Sequence, residues 1–301
     1  MAKHSRSSRQ TRRERPGSAA AQIHRQANYD LDVVVPVYGR PDLLERCLAS
    51  MEATRGNLAL RLVVVDDASP DQAALRPIYD GLNGSSKLLR NKTNLGFPRS
   101  VNRGVAQGYA PLVLLLNSDV ELQPGALQAM AAEFDDPAVG VVGPKLLFPA
   151  DSLDPHRPAG KVQHAGMAVN FRGQWVHANL GWSADHPKVG ERRVVQAVTG
   201  ACLMARRAAW AKVLQYYRQS GDPTTGALNE IYGRGTYEDV EFCIAVRGQG
   251  YQVVYTPAAV AVHHVGASSA AAGQPFAQAR NDMIFRARCG HLLAWDEWRF
   301  L

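Results

Sequence analysis

With 301 residues, 46% of them apolar and 20% charged, the chain has the composition of a globular protein with a buried core, which excludes a disordered or fibrous class. No apolar run nears the roughly 18 residues of a membrane-spanning helix, and no apolar stretch follows the charged N-terminus as in a secretory leader, so a cytosolic protein is expected. The net charge of +7 is concentrated at one end, where Lys3, Arg6, Arg9, Arg12, Arg13, Arg15 and Arg25 face only Glu14 and Asp30.

That opening stretch is rich in Ser, Gln and Ala and has no apolar periodicity before Leu31, so residues 1–30 are expected to form a disordered basic arm. The simpler reading is a solubilising tail; the sharper one is a seat for an anionic partner such as a membrane face, a nucleic acid or an acidic glycan. Cys47, Cys202, Cys243 and Cys289 are scattered without zinc or CxxC spacing and read as reduced, packed thiols.

In chain order, Leu31–Pro36 is a β-branched run fit for a buried parallel strand, and Pro41–Leu48 has helical apolar spacing with proline allowed at its start. Arg61–Val65 is a second strand ending in Asp66-Asp67, followed by a helix over 72–82 and a short strand near Leu88-Leu89. A helix over 99–108 leads to the strand Leu112–Leu116, which ends in Asn117-Ser118-Asp119. Pro124-Gly125 opens a helix through Phe134, and Val139–Val142 is one more strand. Strands alternating with helices predict right-handed crossovers, a mostly parallel sheet, and a ligand site beyond the carboxyl ends of the strands. The polar clusters Tyr38-Gly39-Arg40, Asp66-Asp67 and Asn117-Ser118-Asp119 all fall there.

After Pro144 the pattern becomes loop-rich, with a short extended piece at 166–171. A strand is expected over 194–198, helices over 207–217 and from Glu238 to about Gly248, a flexible loop over 221–235 between them, and a strand at 253–255. Gln274–Trp298 reads as a helix striped with Phe276, Ile284, Phe285, Leu292, Leu293, Trp295 and Trp298, a core or subunit contact. The interleaved Arg280, Arg286 and Arg288 leave peripheral attachment to the inner face of a membrane open.

Two acidic positions carry the chemical argument. Asp119 emerges from an aliphatic strand, where an unpaired buried carboxylate is unfavourable. A divalent ion bridging to a diphosphate would resolve this, while a helix or turn cap is the plainer alternative. Of the adjacent pair Asp66-Asp67, one acid is expected to point to solvent and the other to find donors, such as a nucleobase imide or ribose hydroxyls; a plain turn is the alternative.

Val35-Pro36-Val37-Tyr38-Gly39-Arg40, Val64-Val65-Asp66-Asp67-Ala68-Ser69, Asn94-Leu95-Gly96-Phe97 with Asn102-Arg103-Gly104, and Leu116-Asn117-Ser118-Asp119 together resemble glycosyltransferase family 2, in family order. Its rhamnosyltransferase-like members are most similar, and the resemblance runs from about Asp32 to Ser268. It implies the GT-A fold, a Rossmann-like, mostly parallel sheet flanked by helices with a C-terminal acceptor-side lobe. The corresponding organisation is a nucleotide-sugar half over 31–144, an acceptor-side and catalytic half over 145–268, and a C-terminal helical segment over 269–301.

The resemblance also implies inverting transfer of a sugar from a nucleoside-diphosphate sugar, UDP- or dTDP-linked, to the hydroxyl of a glycan, lipid-linked or other acceptor. Donor contacts are expected at Pro36, Tyr38, Arg40, Asp67, Arg99, Asn102, Asn117 and Ser118. Asn117 stands at the first acidic position of the family's metal motif, which leaves Asp119 as principal ligand of Mn²⁺ or Mg²⁺. His263-His264, before Gly266-Ala267-Ser268, is similar to a stretch that ligates the metal or meets the diphosphate; closing a loop is the alternative. Val198–Arg207 is similar to the acceptor wall, with Gly200 and Ala201 as its site residues. Glu238-Asp239 resembles the element bearing the catalytic base, assigned to Asp239 with Glu238 beside it, although two acids at a helix start need no further reason. His164 matches a family stretch and takes no role. The rival readings are a non-catalytic nucleotide- or sugar-binding module and a nucleotidyltransferase.

Overall fold

The computed structural model describes residues 28–265 and 277–300; the basic arm before Asn28, Gly266-Ala267-Ser268 and the expected start of the last helix at Gln274 lie outside the described residues. The first half follows the sequence closely. Strands β1 (Leu31–Val37), β2 (Leu60–Asp66), β3 (Lys87–Arg90) and β4 (Leu112–Leu116) alternate with helices α1 (Pro41–Thr54), α2 (Gln72–Asp80) and α3 (Phe97–Val105). β1 pairs in parallel with both β2 and β4, and β2 in parallel with β3. Then come β5 (Val120–Leu122), α4 (Ala126–Ala132), β6 (Val139–Leu147), β7 (Val162–His164), and a separate hairpin of β8 (Met167–Val169) with β9 (Trp175–His177). The chain continues through β10 (Arg193–Val194), β11 (Cys202–Arg206), α5 (Arg207–Gln219), α6 (Glu238–Gly248), β12 (Gln252–His263) and α7 (Gln278–Cys289).

The main sheet runs β10-β12-β6-β11-β4-β1-β2-β3, with β5 on β12 and β7 on β6. Alternate residues of the central strands point to opposite faces, which divides the core in two. Val34, Val63, Val65, Val113 and Leu115 pack against α3, α5 and α6, while Val33, Val35, Leu62, Val64, Leu114 and Leu116 pack against α1, α2 and α4. On the first face Gly104 lets α3 lie close: a Cβ there would stand 2.4 Å from Val34 Cγ1.

The second half departs from the sequence reading in three places. The expected strand at 194–198 is only two residues long as β10, whereas β11, missed as a strand, inserts antiparallel between β4 and β6. This makes the sheet more mixed than βα alternation implies. β12 is four times the expected length, because a register shift between Thr256 and Val260 absorbs Pro257, which would otherwise interrupt the ladder. The last helix ends at Cys289 and gives way to short 3₁₀ turns, since Gly290 interrupts the apolar stripe. The four cysteines are free and buried, as expected of packed thiols, and burial pushes those of Cys202 and Cys243 up to about 12.

At the end of the sheet opposite the strands' carboxyl termini, Asp32 is fully buried and gathers Arg61 Nε at 2.8 Å, Ala110 N at 2.8 Å and Arg207 Nη2. Removing a buried ion's partner typically costs about 3–5 kcal/mol. Asp32→Ala should lose stability of that order in denaturant unfolding; a loss under about 1 kcal/mol would show that the two arginines relax into solvent.

Candidate active site

The carboxyl ends of β1, β2 and β4, the start of β11 and the start of α6 enclose a cavity of about 300 Å³. Its lining includes Pro36, Tyr38, Asp67, Asn117, Ser118, Gly200, Ala201, Glu238, Asp239 and His263, all expected from sequence.

Backbone pairing explains how residues so distant in the chain meet. Because β11 runs antiparallel to β4 with Cys202 opposite Leu116, Gly200-Ala201 lie beside Asn117-Ser118, and Asn117 N donates to Ala201 O at 2.8 Å. Because β12 runs antiparallel to β5 with His263 opposite Val120, His263 lies beside Asp119, its Nε2 3.3 Å from Asp119 Oδ1. Asp119 is 5% exposed and does not itself line the cavity, although its neighbours Ser118 and His263 do. On its other side His263 Nδ1 meets the Gln163 amide at 3.1 Å, which orients the ring.

The adjacent acids at the end of β2 differ from expectation: both are buried, and neither points to solvent. Successive side chains leave the strand on opposite sides, so each finds its own donors. Asp66 accepts from Ser69 N, Gln72 Nε2 and Arg90 Nε. Asp67 accepts from Leu95 N at 2.7 Å, Gly96 N at 2.8 Å and Asn91 Nδ2 at 2.7 Å, and so holds the loop before α3 against the cavity. Gly96 is required there twice over. Its φ is +88°, and a Cβ would come within 2.4 Å of Gly233 O and 2.5 Å of Arg234 Cα.

Asp239 Oδ2 accepts from Gly200 N at 2.7 Å and Oδ1 from Val240 N at 2.8 Å. Burial raises its pKa, opposed by these backbone donors. Glu238 is raised much further, by burial and then by the Asp239 charge, and its Oε2 has no partner among the described residues. Two neighbouring carboxyls with unequal hydrogen bonding separate in acidity, so Asp239 ionises before Glu238.

The turn into α6 is strained, with Thr236 at φ +79° and Tyr237 at φ +75°. α7 braces it. Asn281, fully buried, donates to Tyr232 O at 2.9 Å and Gly235 O at 2.7 Å; Tyr237 Oη donates to Asp282 at 2.8 Å, and its ring stacks on Phe285. Further along α7, Arg288 forks onto Glu241 of α6.

Several expected residues lie outside the cavity. Arg40 pairs with Asp42, and Arg99 with Glu230 at 3.4 Å. Asn102 spends its amide on Leu228 and Glu230, so it ties α3 to the loop beyond instead of facing the cavity. His264 N donates to Asp119 O at 2.9 Å, but its ring Nε2 sits 2.6 Å from Glu121, which also pairs with Arg46, so of the two rings it is that of His263 that meets the Asp119 carboxylate. His164 is buried against His177, Nδ1 to Nδ1 at 2.9 Å, with burial pushing its pKa well down. Sequence reasoning missed Arg234, Gly235 and Thr236 as cavity residues, while Thr199 falls within the expected acceptor wall. Arg234-Gly235 fell in an expected flexible loop, and a lone arginine between glycines gave no periodic signal.

The fold recurs in solved glycosyltransferases. The structure of GalNAc-T7 with UDP, GalNAc and Mn²⁺ matches with a TM-score of 0.60 at 13% identity, over 78% of this chain and 43% of that one. The mannosyltransferase PcManGT from Pyrobaculum calidifontis, in complex with GDP-Man and Mn²⁺, matches with a TM-score of 0.50 at 17% identity, over 80% and 59%. The fold is GT-A. The model of glycosyl transferase family 2 matches residues 32–210, more than half of the chain, and the chain belongs to that family. N-acetylglucosaminyl-diphospho-decaprenol L-rhamnosyltransferase of Mycobacterium tuberculosis (strain CDC 1551 / Oshkosh) is 29% identical, over 78% of this chain and 76% of its own. The O-antigen biosynthesis protein RfbC of Myxococcus xanthus is 26% identical over 81% of this chain. The chain spans 26%, 46% and 18% of the length of three relatives, from Sinorhizobium fredii, Mycobacterium tuberculosis and Myxococcus xanthus.

The bracing by α7 makes a local prediction. Asn281→Ala leaves the Tyr232 and Gly235 carbonyls without their donor, a loss of about 1–3 kcal/mol. Hydrogen exchange should quicken across 232–239 while the β1 and β4 amides keep their protection. Uniform acceleration through the sheet would instead make Asn281 a global core residue.

Proposed function

We propose that the chain transfers a sugar from a nucleoside-diphosphate sugar to an acceptor hydroxyl, with inversion and with a divalent ion. The observation that carries this reading is the Asp239 carboxylate, held by Gly200 N–H in the same cavity as Asn117, Ser118 and His263. A proton acceptor thus faces groups suited to a diphosphate. Asp239 takes the proton of the acceptor hydroxyl, whose oxygen bonds to the anomeric carbon as the bond from that carbon to the diphosphate breaks. The nucleoside diphosphate then leaves from the opposite face.

Asp119 and His263 would hold the ion. Among the described residues no group of three or more His, Cys, Asp or Glu side chains could hold a metal alone. A single carboxylate and one imidazole fit an ion that takes its remaining ligands from phosphate oxygens and water, and the imidazole favours Mn²⁺ over Mg²⁺. When bound, the ion supplies Lewis-acid neutralisation of the leaving diphosphate.

The half over 31–144 would carry the donor, with Pro36, Tyr38 and the loop fixed by Asp67 around the nucleoside. The half over 145–268 would carry the acceptor, along Gly200 and Ala201. The family relative named for a diphospho-decaprenol-linked acceptor supports a lipid-linked sugar as acceptor here. Trp295 and Trp298, 59% and 60% exposed, would suit work at a membrane surface, and no helix among the described residues is long and apolar enough to cross one.

Asp239→Asn keeps the shape and removes the proton acceptor. Turnover at saturating donor should fall by about 10²–10⁴ with nucleoside-diphosphate affinity changed only a few fold. In the parent protein the acid limb of turnover should lie above the ordinary carboxylate range, because the base must be ionised and burial raises its pKa. Should Glu238→Gln lose the rate instead, the base is Glu238. Should neither variant lose it, transfer proceeds by another route.

Chelator should abolish transfer and Mn²⁺ restore it, while Asp119→Ala should stay inactive at metal concentrations that saturate the parent. Full transfer in excess chelator would remove the ion from the reaction. Donor binding without turnover would favour a binding module, and release of pyrophosphate a nucleotidyltransferase.

A further inference from the structure

We propose that Arg234 is a donor-binding residue that grips the diphosphate of the nucleotide sugar, an inference that rests on the reading of the cavity as a donor site. Arg234 is the one lysine or arginine among the cavity's lining residues, where Asp67, Glu238 and Asp239 supply carboxyls. A diphosphate entering a wall of that composition gains from a fixed positive charge on the protein in addition to the divalent ion.

Other arginines around this wall are committed within the protein. Arg99 pairs with Glu230, Arg280 donates to Ile231 O at 3.1 Å, and Arg288 is taken by Glu241 and Asp222. The Arg234 guanidinium has no such ion pair among the described residues, and its Nη1 is buried without a hydrogen-bond partner. A buried charged donor left open beside a cavity is the state expected of a group whose partner arrives with the ligand.

The backbone of Arg234 is held toward the donor side of the cavity. Its carbonyl accepts from Phe97 N at 3.0 Å, and its Cα abuts Gly96, whose N–H is bound by Asp67. Asn117, Ser118 and His263 line the same space, so a diphosphate lying between the nucleoside loop and His263 comes within reach of the guanidinium. The flanking backbone is set by Gly233 and Gly235, at φ +64° and +141°, and by the Asn281 bonds from α7, so the arginine is carried on a braced turn. A guanidinium suits this task because its planar donors match two phosphate oxygens at once.

The test is calorimetric titration of the full chain, with Mn²⁺ present, against UDP, dTDP and GDP and against the matching nucleosides. The parent protein should bind one diphosphate well above its nucleoside. Arg234→Gln should weaken that diphosphate by about ten-fold or more and leave the nucleoside within about two-fold, and Arg234→Lys should fall between, since an ammonium keeps charge without the fork. Equal diphosphate affinity in the parent and Arg234→Gln would overturn the assignment while leaving the donor reading intact. Equal weakening of diphosphate and nucleoside would overturn it too, making Arg234 a support of the loop. A parent protein that binds none of the diphosphates would overturn both the assignment and the donor reading.

Discussion

The hydrogen bond from Gly200 N–H to the Asp239 carboxylate joins two elements that the chain separates widely. Gly200 sits just before β11 and Asp239 in the first turn of α6, so the contact closes the cavity from the second half of the chain. It exists because β11 enters the sheet antiparallel beside β4, which brings its start level with the carboxyl end of its neighbour. Had that strand run parallel, Gly200 would lie at the far end of the sheet, and α6 would have no partner at the cavity. Burial raises both Asp239 and Glu238, and this bond is among those that oppose the rise at Asp239, so the topology also contributes to which acid ionises first.

The turn before α6 is the second constraint. Two non-glycine residues in succession hold left-handed φ values, a conformation that persists only where surroundings over-determine it. α7 provides those surroundings through Asn281, Asp282 and Phe285, and Arg288 fastens the far end of the same helix to Glu241, one turn beyond Glu238. The C-terminal segment thus shapes a cavity that none of its described residues line. The wall it braces carries the open guanidinium of Arg234, while Gly96 allows that wall to approach the donor-side loop.

At the other edge of the cavity, Asp119 and His263 meet through strand pairing of the same kind. β5 is only three residues long, yet its pairing with the end of β12 decides which of two adjacent histidines faces the carboxylate. His263 does so, and His264, on the other side of the strand, goes to Glu121. Sequence reasoning had no means to choose between them, because a one-residue shift in register exchanges their faces.

What the sequence determined by itself was local. The β-branched runs of β1, β2 and β4, the helical spacing of α1 to α3, and the polar groups at strand ends follow from side-chain shape and period. The order of motifs added the family, and with it ten of the residues that line the cavity. What only the tertiary structure decided depends on contacts between distant segments. Those contacts insert β11, carry β12 past Pro257 and bury both Asp66 and Asp67. They also turn Arg40, Arg99, Asn102 and His264 toward partners of their own, and leave Arg234 Nη1 without one among the described residues. Period and propensity are sums over neighbours in the chain, so they place strands and helices. A carboxylate's donors and an arginine's partner are supplied by other elements, and these are known only when the sheet has closed.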